Sequence, residues 1–370
     1  MKASLVVLLG ASLVGLGGAW LDRDAQAGQS HPAGWQVHEP IVHSNVAIFP
    51  VTGGRSHATR NYITLDEGLA VGTVKVTEQG AGLIRRRPGG RPRPSRDFGT
   101  EQAQVNRLVL INESDKALIL LAGEIVTGGK QDRVIAKDRV IPPGADPLPL
   151  DVFCVEPGRW AGASVAFNTK SLMAAPALRE KAQVAKSQDE VWAAGRAAVG
   201  GVAAEAGAVG GLRSSSYAII AEDSELKRKI DSTAADLQQE YEKALRTQLR
   251  GKELVGVVVA VNGEVIWADL FAEPALFEKY WPKLLRSYVV EALSVPRVEH
   301  ARATRDDAER FLAEQEGKQI IEVEPGEYRL LEVQHPRYAI FELTSLLEKA
   351  EPVLHFNKLR KEPTARPRLP

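Results

Sequence analysis

The sequence predicts an α+β protein, with a β-rich N-terminal region followed by helices and a mixed hairpin/helix C-terminal region. Three observations carry that reading. Short apolar runs bounded by turn residues fill 41–167. A long amphipathic pattern occupies Glu222–Arg250. Asn262-Gly263 then joins two further apolar runs. Strands and helices come in blocks instead of alternating as βαβ units, which argues against a doubly wound sheet. With 370 residues, 44% of them hydrophobic and 25% charged, the chain has a globular composition and can build a sizeable core.

The elements follow in order. Asn45–Pro50 and Ala70–Thr77 read as strands, as do Arg107–Ile111 and Ala117–Ala122, which are separated by the turn-rich Asn112–Lys116. Residues 85–97 interrupt this region. Arg85–Arg96 holds six arginines, three prolines and two glycines, which suits a solvated surface loop. Ala177–Val199 reads as a helix, and Gly195–Gly211, rich in glycine and alanine, as a loop or a frayed helix. In Glu222–Arg250 the residues Leu226, Ile230, Leu237, Tyr241, Leu245 and Leu249 share one helical face, a core stripe ended by Gly251. Asn262-Gly263 supplies the two positive φ angles of a type I′ hairpin turn between 254–261 and 264–269. Glu273–Ser294 is helical, and Pro282 should kink it or begin a second helix. Thr304–Asp307 has the spacing of a capping box, opening a helix that ends near Gly317. Strands at 319–324, 328–333 and 338–343 close the fold, and the tail 358–370 should be loose.

The resulting organisation is 1–27 signal peptide, 28–40 polar leader, 41–295 an α+β domain (β-rich 41–167, helical and mixed 168–295), and 296–357 a C-terminal helix with strands. The signal peptide rests on the order Met1-Lys2, an apolar run Ala3–Trp20, then Ala25-Gln26-Ala27. Export to a periplasmic or extracellular space is expected, with no membrane span after cleavage. The rival reading keeps the segment as an uncleaved anchor helix, although Gly15, Gly17 and Gly18 weaken it as a span.

Charge narrows the partners. Lys+Arg and Asp+Glu both number 47, so the net charge is zero and a nucleic-acid partner is not expected. The balance is a cancellation. Residues 85–96 carry +6 from six arginines, and 306–327 carry −6 from eight acids against Arg310 and Lys318. The single cysteine, Cys154, lies on an apolar strand face and reads as a buried thiol. There is no P-loop, no Gly-x-Ser-x-Gly elbow and no paired-histidine motif, so neither a cofactor nor a metal is expected. Protein partners are not indicated.

One stretch concentrates polar residues among apolar ones: Leu121-Ala-Gly-Glu-Ile-Val-Thr-Gly-Gly-Lys-Gln-Asp-Arg133 and Phe153-Cys-Val-Glu-Pro-Gly-Arg-Trp160. On a strand alternate residues share a face. Glu124 continues the face of Leu118, Leu120 and Ala122, and Glu156 continues that of Leu148, Leu150, Val152 and Cys154. Both carboxylates should therefore be buried, which is costly without partners. Arg133 and Arg159 are the obvious ones. Two readings stand side by side. Glu124, Lys130, Gln131, Arg133, Glu156, Arg159 and Trp160 form a site for a small anionic or polar ligand, or they form a buried ion-pair network that fixes two hairpins. A hydrolase with Glu124 or Glu156 as general base is a narrower form of the first. A structural or interaction protein of the cell envelope is the form the second takes.

The two segments, with Gln188, Val191-Trp192 and Asp269–Tyr288, resemble the ARG and rhodanese-phosphatase-superfamily-associated protein domain family, where ARG stands for ADP-ribosylglycohydrolase. The resemblance covers about 40–295. That family has no established activity, so the resemblance implies no catalytic residue. Asp132 stands where the family pattern has Asn, and Phe153 where it has a small residue.

Overall fold

The computed structural model describes residues 21–23, 34–53, 56–78, 107–157, 166–208, 212 and 214–361. The expected signal peptide but for residues 21–23, the first part of the leader, the arginine-rich 85–97, Arg159 and Trp160, and the end of the tail lie outside the described residues.

In chain order the first strands are β1 (Leu21–Arg23), β2 (Trp35–Val37), β3 (Ile41–His43), β4 (Val46–Gly53) and β5 (Tyr62–Thr64). Helix α1 (Leu65–Ala70) leads to β6 (Val74–Glu78), then β7 (Arg107–Asn112), β8 (Ala117–Leu120), β9 (Glu124–Gly128), β10 (Arg133–Ile135), β11 (Arg139–Ile141), β12 (Leu148–Cys154) and β13 (Ala166–Met173). Helices α2 (Pro176–Glu180), α3 (Gln188–Ala206), α4 (Ile219–Glu222) and α5 (Ser224–Arg246) follow, with a π-helical segment Lys181–Ala185 between α2 and α3. The hairpin β14 (Leu254–Val261) and β15 (Glu264–Phe271), helices α6 (Pro274–Leu293) and α7 (Arg305–Ala313), and strands β16 (Lys318–Glu324), β17 (Tyr328–Gln334), β18 (Tyr338–Ser345) and β19 (Val353–Arg360) complete the chain.

The α+β class holds, and the strands assort into three units. A large antiparallel sheet runs β1-β16-β17-β18-β19-β15-β14-β4-β2, with β3 also on β4. Six strands close a barrel in the order β10-β12-β7-β6-β13-β9, and β11-β8-β5 form a small sheet. A closed barrel leaves no strand edge unpaired.

Alternation decides which residue faces which layer. Along β14, Val257, Val259 and Val261 join the core beneath the helices, while Val255, Val258 and Ala260 face the opposite core that holds Phe311 and Leu312 of α7. The barrel core collects Leu118, Leu120, Leu150 and Val152 with Val74, Val76, Leu108 and Leu110, as the parity of those runs requires. The α5 stripe is likewise core: Leu226, Ile230, Leu237 and Tyr241 are all buried. Asn262 and Gly263 have φ of 51° and 75°, the pair a type I′ turn needs. Thr304 and Asp307 form the reciprocal capping box of α7.

Several expectations change. Pro282 sits inside one continuous helix, α6. Helix α3 continues through Gly195, Gly200 and Gly201, and at Gly201 a Cβ would lie 2.5 Å from the Cα of Ser294, the residue that caps α6. Tertiary contact overrides the weak helical propensity of glycine there. The leader contributes β2, paired with β4. Helix α7 ends at Ala313, short of Gly317. The tail is not loose from residue 358: Lys358 is buried in β19, between β15 and β18.

Candidate functional site

The polar motif folds into two separate clusters. Glu124 does not extend the strand that carries Leu118 and Leu120. Strand β8 stops at Leu120, the chain turns through Gly123 at φ 95°, and Glu124 opens β9 in the barrel. It is 1% exposed. Its partner is not an arginine. Lys283 of α6 donates to Glu124 Oε1, and the Leu121 backbone N–H donates to Oε2 at 2.7 Å. Lys283 also donates to Asp66 at 3.0 Å. Burial, with Asp66 nearby, holds the Glu124 carboxyl above the usual range against the pull of Lys283. Burial opposes the Lys283 charge, yet the two carboxylates keep its ammonium protonated above the usual lysine range. Both Glu124 carboxylate oxygens are thus engaged within the fold.

Gln131, Arg133 and Glu156 do come together, at the end of the barrel formed by the β9–β10 turn and the end of β12. Pairing of Arg133 with Cys154 sets the register. Gln131, Arg133 and Glu156 are 0%, 1% and 5% exposed. Gln131 Nε2 donates to the Glu156 carbonyl at 2.9 Å, while its Oε1 is buried with no partner among the described residues. Arg133 donates to the carbonyls of Gln131 and Asp132 and lies 3.8 Å from Glu78. Asp132 accepts from the Gly128 N–H at 3.0 Å and from Ser216 Oγ at 2.6 Å. Ser214 Oγ lies 3.5 Å from Glu156 Oε1. Gly128 needs its glycine, since a Cβ would lie 2.7 Å from the Ala166 carbonyl oxygen and its φ is 126°. Lys130 is exposed; only its backbone N–H joins the cluster, on Glu78 at 3.1 Å. Burial pushes the Cys154 thiol up, against the pull of Arg133, which favours its protonated form.

A third polar cluster, at the junction of barrel and large sheet, was not legible from the motif. Asp269 of β15 is fully buried and accepts from Arg179 at 2.8 and 3.0 Å, Trp267 Nε1 at 3.0 Å, Tyr288 at 2.5 Å and Asn357 at 3.1 Å. His355 bridges Asp269, at 3.0 Å from Nε2, and Asp138, at 2.7 Å from Nδ1. Despite its burial, Arg179 and His355 hold the Asp269 carboxyl well below the usual range. The two carboxylates outweigh burial at His355 and raise its imidazole to about 9. The members come from two helices, a loop and two strands far apart in sequence, and no local spacing announces them. Among the described residues no group of three or more His, Cys, Asp or Glu could hold a metal ion.

The family model for the ARG and Rhodanese-Phosphatase-superfamily-associated Protein domain matches residues 34–354. The chain belongs to this family. The match extends well past the 40–295 suggested by the motifs, taking in α7 and β16–β18. The matched residues take in the barrel and most of the large sheet, while β1, most of β19 and the cluster members His355 and Asn357 lie beyond them. No curated protein and no solved structure matches the chain.

Proposed function

We propose that this domain binds a small polar molecule at the barrel end built by Gln131, Asp132, Arg133 and Glu156. The observation that carries the reading is the Gln131 Oε1, wholly buried and without a hydrogen-bond partner among the described residues. Leaving a buried acceptor unsatisfied costs about 1–3 kcal/mol, a cost a bound donor would remove. Hydroxyls of Ser214 and Ser216 lie on the neighbouring carboxylates and add polar capacity at the same end. Arg133 already serves backbone carbonyls, so the ligand is one that presents an O–H or N–H to Gln131 more than an anion that seeks the guanidinium. Arg159 and Trp160 come two and three residues after Pro157 in the sequence and belong to the same proposal.

The test is thermal stabilisation of the full chain by a panel of neutral polyols, nucleosides and amides, with inorganic phosphate as the anionic arm. A stabilising compound should lose its effect in Gln131→Met while circular dichroism stays unchanged. An undiminished effect in that variant, or stabilisation by phosphate alone, overturns the reading.

We also propose export. The basic, apolar and Ala25-Gln26-Ala27 order supports it. Sequencing the N-terminus of the protein recovered from its native host should give Gly28; a chain starting at Met1 in the cytoplasm overturns it.

A further inference from the structure

We infer that the cleft between the β10–β11 connection, the π-helical segment and strands β16–β18 is a second site, for a compact cationic N–H donor such as the ammonium or guanidinium end of a larger molecule. The cleft has a volume of about 40 Å³ and is lined by Lys137, Asp138, Gln183, Lys186, Glu322 and Glu332, with apolar walls between them. That volume is enough for a few water molecules or one small head group.

The hydrogen-bond inventory of the lining decides what it accepts. Lys137 donates to both oxygens of Glu322, at 2.6 and 2.9 Å, and the Tyr328 hydroxyl donates to Oε1 at 2.8 Å, which leaves Glu322 one acceptor position of four. Lys186 lies 3.5 Å from Glu332, which also accepts from Gln334 at 2.7 Å. Asp138 accepts from the Ala122 N–H at 2.7 Å and from His355. Both lysines are therefore spoken for. Gln183 is 2% exposed, and its Oε1 is buried with no partner among the described residues. A carboxylate accepts up to four hydrogen bonds, so Asp138, Glu322 and Glu332 retain acceptor capacity. What the cleft lacks is a donor. The unused acceptors sit on carboxylates as well as on Gln183, and a charged N–H donor makes the strongest bonds to such groups, while the ionised side chains around the cleft, with His355 on Asp138, are balanced.

Local backbone geometry places Gln183. The segment Lys181–Ala185 is π-helical, closed by the Lys186 N–H donating to the Lys181 carbonyl at 2.9 Å, with Lys186 left-handed at φ 52°. A single π turn inserts one residue into a helix and redirects the side chains within it, and such turns are common at functional sites. Here it coincides with the burial of Ala182 and Gln183. The site is separate from the Gln131 cluster, and either can fail without the other.

The experiment uses the full chain, isotopically labelled, titrated with methylammonium and with methylguanidinium. Tetramethylammonium serves as the cation without a donor and acetamide as the donor without a charge. Affinity for such small probes falls in the millimolar range. The expected result is a shift of the Gln183 side-chain amide resonances with the two N–H cations and a weaker or absent one with the controls. Gln183→Met should weaken binding about tenfold or more, and Gln183→Glu should tighten it for the cations only. Should Gln183→Met not fold, the opposite response of Gln183→Glu to cations and acetamide still decides. No binding of either N–H cation, equal binding of tetramethylammonium, or binding indifferent to both substitutions overturns the inference. Retained binding in Gln131→Met keeps this test apart from that of the barrel end.

Discussion

Arg179 and Asp269 form a bidentate ion pair with both side chains 0% exposed, at 2.8 and 3.0 Å, where α2 meets the large sheet. The guanidinium carbon also lies 4.4 Å from the centre of the Trp267 ring. A pair this deep is stable only because Trp267, Tyr288, His355 and Asn357 complete the carboxylate's hydrogen bonds. It makes the junction specific in geometry more than strong in net energy.

Removing one member alone should be severe. Arg179→Met leaves a buried carboxylate facing His355, with an expected loss of about 3–5 kcal/mol. Replacing Asp269 as well should cost less than the sum of the two single changes. Urea unfolding of the four proteins of that cycle measures the coupling; additive losses would show that the pair is not coupled.

Gly123→Ala tests the same junction from the barrel side. Gly123 has φ 95°, and a Cβ would lie 2.6 Å from Arg179 Cγ. Backbone strain and the clash together should cost more than about 1 kcal/mol. The variant should lower the melting temperature, while Gly72→Ala, which meets no neighbour within 4 Å, isolates the cost of positive φ alone.

His355 should make stability fall at alkaline pH. Its imidazole is raised to about 9 from 6.5. The folded state binds the proton more tightly, so the contribution is complete below about 6.5 and is lost as pH rises through about 9, to a total of about 3 kcal/mol. Lys358 acts in the opposite sense, because burial lowers its ammonium to about 7 from 10.5 and stability gains as pH rises between those values. The difference between the wild-type protein and His355→Gln is therefore the quantity to follow. It should shrink between pH 7 and 10; a constant difference would contradict the raised imidazole.

Glu342 carries a cost. Burial raises its carboxyl to about 7 from 4.5, with only the Coulombic pull of Arg329 to oppose it. The penalty is absent below about 4.5 and complete above about 7. Glu342→Gln should stabilise the protein by about 3 kcal/mol at pH 8 and by less than about 1 kcal/mol at pH 5. Denaturation curves at the two pH values measure this, and equal effects at both would refute it.

Lys283→Met should strand Glu124 and destabilise by about 3–5 kcal/mol. Adding Glu124→Gln should recover much of that loss. Recovery identifies Glu124 as a structural partner; a Glu124→Gln change that leaves stability intact yet abolishes a ligand response would return it to the binding site.

The apolar runs around Glu124 and Glu156 made their burial legible, but not through the parity expected: β8 stops at Leu120 and β12 at Cys154, so neither carboxylate continues the strand face it was assigned to. Parity also misassigned the partner of Glu124, since Lys283 lies 159 residues away on a helix whose side chains show no local relation to the barrel. Gln131, Arg133 and Glu156 do converge, held by strand pairing between two segments that are close in sequence. His355 and Asp138 gave no local sign at all, being 217 residues apart.

By itself the sequence determined what acts over short range: the α+β class, the type I′ turn at Asn262-Gly263, the capping box at Thr304–Asp307, the stripe of α5 and the family pattern. These depend on backbone preference and on apolar periods of 2 and 3.6 residues, which any window of the chain displays. Only the tertiary structure decided how the strands divide into barrel and sheet, that Lys358 lies within a strand, and which charge meets which. Pairing of buried charges is settled by desolvation. A group stripped of water takes whichever partner the packing brings to it, and packing joins residues that no local pattern connects.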